Sequence, residues 1–167
     1  MTTFNVLYSA DQIADKVLEC AATINDVASN NSVIICPVMQ SSFLFASDVS
    51  KHLQTSVYMD FCGVNRYAGD GTEDDLFMYK GVDPKILDNK VAIVLDTLCS
   101  TGTTVDFVAR ILKQMGATKV YTMCLLTRQF SVHKPDWKGY TISDEVVFGY
   151  GIDQNQMHRT LPFIAYE

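Results

Sequence analysis

Residues 100–104, Ser100-Thr101-Gly102-Thr103-Thr104, put four hydroxyl side chains and a glycine into consecutive positions. They stand between an apolar run that ends at Leu95-Asp96 and a segment in which Val105, Val108, Leu112 and Met115 recur at intervals of three and four. That pattern predicts a strand, a loop and a helix with one apolar face, stopped by Gly116 in the left-handed conformation. The first turn of a helix leaves several N–H groups without intrahelical partners, and its dipole end is positive, so such a loop suits a phosphate. Gly102 allows close approach of the backbone, and the hydroxyls add donors. An ordinary strand-to-helix turn has the same composition. Asp96 favours the ligand-binding reading, because open parallel sheets bind ligands at the carboxyl ends of their strands.

Other elements must hold this loop in place. Ser9-Ala10-Asp11-Gln12 has the form of a capping box, and Ile13, Val17, Ile24 and Val27 follow at helical spacing until Ser29-Asn30-Asn31. Residues 33–36 read as a buried strand limited by Pro37, and Met39-Gln40-Ser41-Ser42 as a second strand-to-helix loop before a helix that ends near His52-Leu53. A strand over 56–61, a long aperiodic loop over 63–75 and a returning strand over 76–79 follow, with turns at Asp83-Pro84 and Asp88-Asn89. Beyond the central motif, 119–126 reads as the next parallel strand, 127–144 as polar and turn-rich, 146–150 as strand-like, 151–159 as a loop or short helix, and 162–166 as a closing strand. Strands alternating with two or three helices predict an α/β fold with a mostly parallel sheet flanked by helices.

A length of 167 residues fits a single domain over 1–167 with a sizeable core. A hydrophobic content of 48% against 19% charged residues excludes disorder as the main state. A net charge of −6 offers no basic stripe, so nucleic acid is set aside as a partner. No run reaches membrane-spanning length and the N-terminus lacks a signal-like pattern, so no membrane partner and a cytoplasmic location are expected. Cysteines 20, 36, 62, 99 and 124 form no C-x-x-C pair and read as buried thiols. His52, His133 and His158 are too scattered for a triad or a zinc site, and Trp137 reads as a packing residue. The acids Asp70, Glu73, Asp74 and Asp75 read as a solvated loop face.

The apolar strand, the acid and the Thr-Gly-x-Thr run resemble the phosphoribosyl pyrophosphate loop of type I phosphoribosyltransferases, typically Val-(Glu/Asp)-Asp-x-x-Asp-Thr-Gly-x-Thr. In that register Asp96 matches the first acid, Thr97 the second and Ser100 the loop Asp, so the cradle is intact while two of the three acids are absent. The run Phe148-Gly149-Tyr150-Gly151-Ile152-Asp153, followed by Arg159-Thr160-Leu161-Pro162-Phe163-Ile164, is similar to the tail of the hypoxanthine-guanine branch. Residues 38–45 stand where that branch has Leu-Lys-Gly-Gly-Phe-Met-Phe, and Asp60-Phe61, Tyr67 and Gly71-Thr72 resemble its Asp-Phe, Ser-Ser-Tyr and Gly-Thr loop.

The resemblance implies the type I fold with a small hood, and the transfer of ribose 5-phosphate from phosphoribosyl pyrophosphate to a nucleobase with release of pyrophosphate. It also implies Mg²⁺ as cofactor and, as partners, small-molecule substrates (phosphoribosyl pyrophosphate, nucleobase or nucleotide); a homo-oligomer is expected. Carried over by position, Ser100, Thr101, Gly102, Thr103 and Thr104 hold the 5′-phosphate, and Asp96 and Ser100 stand at the catalytic positions, Asp96 beside a ribose hydroxyl. Met39, Gln40, Ser41 and Ser42 with Arg159 hold pyrophosphate, and the family's cis peptide falls at Met39-Gln40. Asp153 takes the metal, Thr127, Val146 and Val147 line the base, and Arg66 and Tyr67 belong to the loop that folds over the reacting groups. Gln40 removes a positive charge, and Ser41-Ser42 in place of Gly-Gly makes the unusual backbone harder to adopt. Ser100 cannot take a purine proton near neutral pH, and Thr127 replaces the Lys that reads a 6-oxo group. The single-acid loop also looks like that of uracil phosphoribosyltransferases, Asp-Pro-Met-Leu-Ala-Thr-Gly. Three readings stay open: a purine-salvage enzyme, an enzyme for a different base, and a catalytically weak or inactive nucleotide-binding or regulatory protein.

Overall fold

A computed structural model of the chain describes residues 4–66 and 75–167. Tyr67, Asp70, Glu73 and Asp74, and with them most of the long loop expected over 63–75, lie outside the described residues.

The centre of the molecule is a sheet in the order β5 (Leu76–Lys80), β4 (Cys62–Arg66), β2 (Val33–Met39), β6 (Val91–Cys99), β7 (Lys119–Arg128) and β8 (Trp137–Ile142), with the short β3 (Tyr58–Met59) also on β2. Every pairing is parallel except that of β4 with β5. β2 and β6 are buried on both faces, which is why they read as near-continuous apolar runs. Successive residues serve opposite cores. Val33, Ile35, Ile93 and Leu95 face α1 (Ala10–Ala28) and α2 (Phe43–Ser50), while Ile34, Cys36, Ala92 and Val94 face α3 (Pro84–Leu87) and α4 (Thr103–Gln114).

The helices follow their sequence signals. Ser9 and Gln12 form the capping box of α1, and Ile13, Val17, Cys20, Ala21 and Ile24 bury its inner stripe. Each fully buried Ile or Val there contributes about 1.5–3 kcal/mol of burial free energy. On α4, Val105, Val108 and Leu112 face the second core, and Gly116 takes φ +108° at its exit. A three-stranded antiparallel sheet of β1 (Asn5–Tyr8), β10 (Ile164–Tyr166) and β9 (Val147–Phe148) forms the hood.

Several boundaries differ from the sequence reading. Pro37 does not limit its strand but lies inside β2, paired with Leu95. The Ile35 carbonyl accepts the Asp60 amide at 3.1 Å in the gap between β3 and β4, and Pro37, on the same edge, turns its N–H-free nitrogen to that gap. The strand expected over 56–61 is only β3, and β4, which begins at Cys62, runs on to Arg66 in the segment expected to be loop. β6 continues through Thr97, Leu98 and Cys99, because β7 supplies partners as far as Thr127. β8 occupies part of the stretch expected to be polar and turn-rich, and β1 and α3 are additional elements. Among the described residues no helix is long and apolar enough to cross a membrane.

Candidate active site

The loop at 100–104 is shaped by the segment that follows β7. The Thr101 carbonyl accepts the amides of Val132 and His133, both at 3.1 Å. Gly102 takes φ +87°, and a Cβ there would lie 1.9 Å from the His133 carbonyl oxygen. The close approach that this glycine permits is therefore to the chain's own backbone. The Ser131 hydroxyl donates to the His133 carbonyl at 2.9 Å, and the Cys99 thiol lies 3.2 Å from Ser131 Oγ and 3.5 Å from that carbonyl. Hydrogen bonding from the Cys124 thiol, helped by Ser131, outweighs burial and brings the Cys99 thiol down to about 7. Above this support the residues from Ser100 to Val105, with Asp96, Leu98 and Cys99, line a cavity of about 130 Å³. One water needs only about 10–15 Å³ of such space, so a phosphate-sized group fits. The Thr101 and Thr103 hydroxyls, 3.0 Å apart, stand at its helical rim.

Asp96 joins this cavity to the second loop. It is 5% exposed, and its Oδ1 accepts the Ser41 hydroxyl and the Thr97 amide, both at 2.7 Å. Burial pushes its carboxyl up to about 6, against the opposing effect of Ser41 and the amides of Thr97 and Leu98. The Thr97 hydroxyl donates to the Ser41 carbonyl at 2.9 Å, and the Ser42 hydroxyl to the Val38 carbonyl at 2.6 Å. The Met39-Gln40 peptide is cis, as the resemblance implies. Neither serine that follows it takes a positive φ, so the expected obstacle to Ser41-Ser42 does not arise. Gln40 is exposed and Met39 half-buried.

The C-terminal run closes on the same loop. A Cβ at Gly151 would lie 1.9 Å from the Ser41 carbonyl oxygen. Arg159 donates from Nη1 to the Gly151 carbonyl at 2.8 Å and pairs through Nη2 with Asp153 Oδ1 at 2.6 Å. The Gln156 amide donates to the other Asp153 oxygen at 3.0 Å. Tyr150, at φ +47°, donates its hydroxyl to Asp48 Oδ2 at 2.7 Å and so ties the run to α2. Arg159 and Asp153 thus reach Ser41 by way of Gly151, Ser41 reaches Asp96, and Asp96 shares its cavity with the 100–104 loop. Among the described residues no three His, Cys, Asp or Glu side chains form a metal cluster.

The expected base-pocket residues are less alike. Thr127 lies beside Cys99 across the sheet, is 2% exposed, and has a buried Oγ1 with no partner. Val146 is exposed, whereas Val147 is buried in β9, so only its backbone could meet a base there. Trp137 packs on Tyr121 with ring centroids 4.6 Å apart, and Phe148 packs on Phe4 and His158. Phe130 is exposed, with the Arg128 guanidinium 5.7 Å from its ring centroid. Arg128 is itself fixed by the carbonyls of Ser143 and Glu145, both at 2.9 Å. Arg66 ends β4, and Tyr67 lies outside the described residues. The sequence reading missed Ser131 and the His133 carbonyl as supports of the loop, and missed the side-chain role of Ser41. No local spacing announces such contacts, which join strand ends distant in the chain.

The profile of the phosphoribosyl transferase domain matches residues 5–155. The chain is 28% identical over 166 residues to a hypoxanthine-guanine phosphoribosyltransferase of Staphylococcus epidermidis, covering 96% of this chain and 92% of that one. It is also 28% identical over 164 residues to the enzyme of that name from Lactococcus lactis, with 96% and 88% covered. A crystal structure of a Bacillus anthracis hypoxanthine-guanine phosphoribosyltransferase, with HEPES in its active site, superposes with a TM-score of 0.90 at 27% identity, covering 98% of each chain.

Proposed function

The chain belongs to the phosphoribosyl transferase domain family, and from that premise we propose that it moves ribose 5-phosphate from phosphoribosyl pyrophosphate to a ring nitrogen of a purine of the hypoxanthine or guanine type. The observation that carries this is the cavity that Asp96 shares with the 100–104 loop, together with the contacts that run from Asp96 through Ser41 to Gly151 and Arg159. It joins a seat for a phosphate to a carboxyl suited to a ribose hydroxyl and to a guanidinium suited to a pyrophosphate. In the reaction the bond from the ribose C1 to pyrophosphate breaks and the bond from C1 to the base nitrogen forms. The chain's own residues contribute by seating both phosphate groups and aligning the sugar between them.

Asp153 fits a role toward Mg²⁺ as a single carboxylate, since that ion is commonly held by one or two carboxylates together with substrate phosphates. When bound, Mg²⁺ would spread the charge of the leaving pyrophosphate. Arg159 would then have to exchange Asp153 for a pyrophosphate oxygen. Ser100 offers no carboxylate for the proton lost by a purine nitrogen, so that proton passes to water and the rate suffers.

The same gap favours a second reading, a nucleotide-binding protein with weak or no turnover. Mass spectrometry of the protein incubated with phosphoribosyl pyrophosphate, Mg²⁺ and a panel of bases separates the two. Nucleotide formed from hypoxanthine or guanine supports the enzyme; nucleotide formed only from another base supports a changed specificity. No nucleotide from any base, with phosphoribosyl pyrophosphate bound, supports the binding protein. A homo-oligomer in a cytoplasmic setting completes the proposal, and sedimentation of the purified chain tests the first part.

A further inference from the structure

Ser41 stands where the two loops of the cleft meet. Its hydroxyl donates to Asp96 Oδ1 at 2.7 Å, and its carbonyl accepts the Thr97 hydroxyl at 2.9 Å. The Asp96 oxygen that it holds also accepts the Thr97 amide at 2.7 Å. Ser41 is itself fixed from behind, because only a glycine at 151 leaves room for its carbonyl. The second acid of the loop pattern is absent, since Thr97 occupies its place, so Asp96 works without a neighbouring carboxylate. Its charge reaches the thiols of Cys99 and Cys124 and acts to raise both. Among the described residues the groups that hold the Asp96 carboxyl are hydrogen-bond donors, the Ser41 hydroxyl and the amides of Thr97 and Leu98.

We propose that Ser41 is a positioning residue for Asp96, its hydroxyl holding one carboxylate oxygen so that the carboxyl is aimed at the ribose hydroxyls of a sugar phosphate seated on residues 100–104. The inference rests on the sugar-phosphate reading given above. A lone buried carboxylate rotates and takes up a proton more readily when a donor is withdrawn, because burial already favours its neutral form. Serine supplies that donor without adding a charge, which leaves the acid free to accept from a ligand. The alanine variant would keep the loop's backbone contacts and lose only this restraint.

The test measures binding of ribose 5-phosphate and of inorganic phosphate by titration calorimetry between about pH 5.5 and 8, a window placed around the elevated Asp96 value. The proteins are the wild type, Ser41→Ala, Ser41→Thr, Asp96→Asn and the double variant Ser41→Ala/Asp96→Asn. The Asp96 carboxyl is also titrated by carbon NMR without ligand. Ser41→Ala should weaken ribose 5-phosphate about tenfold, as expected for one hydrogen bond to a charged group, and should weaken inorganic phosphate by clearly less. The carboxyl midpoint should move up, and the pH dependence of ribose 5-phosphate binding should move with it. Ser41→Thr should restore both, and Ser41→Ala should add nothing once Asp96 is Asn. An unmoved carboxyl midpoint would overturn the proposal, as would equal losses for ribose 5-phosphate and phosphate. A wild type that binds neither ligand would instead overturn the sugar-phosphate reading. The ligand-free titration still decides whether Ser41 holds Asp96.

Discussion

Replacing Gly102 by alanine tests the claim that the loop is shaped by the backbone of His133. At φ +87° an L-residue costs about 1–2 kcal/mol. The added Cβ would also sit 1.9 Å from the His133 carbonyl oxygen, where ordinary contact begins at 3.4 Å. That carbonyl must retreat by about 1.5 Å, more than hydrogen-bond geometry tolerates, so both bonds from Val132 and His133 to Thr101 break. At about 1 kcal/mol each, these bring the expected loss to roughly 3–4 kcal/mol. Gly116 is the control, because it has φ +108° but nothing within 4 Å of its missing Cβ. Gly116→Ala should therefore lose only the conformational part, about 1–2 kcal/mol. Urea unfolding of both variants measures the difference, and calorimetry with ribose 5-phosphate should show binding abolished only for Gly102→Ala. Equal destabilisation of the two variants, or wild-type affinity in Gly102→Ala, would refute the reasoning.

Ser100→Asp should raise turnover on hypoxanthine or guanine by up to about 10²–10⁴, the range of a general base, with a further gain on adding Thr127→Lys; steady-state rates with each base measure it, and lower activity on every purine would point to a rebuilt pocket. The Asp96 carboxyl titrates at about 6 in the folded protein, above its unfolded value, so its contribution to stability is fully present below the unfolded pKa and is lost as pH rises through about 6. The wild type should thus gain on the order of 2 kcal/mol over Asp96→Asn between pH 7.5 and 4, read by urea unfolding at both; parallel pH profiles would contradict it. Tyr150→Phe should cost about 1.5–3 kcal/mol by removing the hydrogen bond to Asp48, and a thermal midpoint equal to wild type would count against that contact.

The elements with strong periodicity were legible: the capped stripe of α1, the apolar runs of β2 and β6, and the face of α4 each announce themselves within one segment. What stayed hidden depends on partners elsewhere. Trp137-Lys138-Gly139-Tyr140 has no clean alternation, yet it becomes β8 because β7 offers an open edge. Pro37 looks like a stop until the gap between β3 and β4 removes the need for its N–H. At the site, residues 100–104, Asp96, the cis step and Arg159 could be placed by pattern. The Ser41 hydroxyl and the His133 carbonyl could not, since both act across the ends of separate strands. Val147 was placed in the base pocket by position, but its side chain belongs to the core.

The hood also has a bearing on the order in which a ribosome delivers this chain. β1, Asn5–Tyr8, is made long before its hydrogen-bonding partner β10, Ile164–Tyr166. During synthesis the sheet around β2, β6 and β7 can assemble while β1 still presents an unpaired edge. Gly151, which seats the Ser41 carbonyl, also follows that sheet in the chain. The nascent protein therefore carries a nearly complete scaffold before it carries a site. A chain arrested between β8 and β9 should expose β1 to pairing with other chains and lack the backing of its second loop.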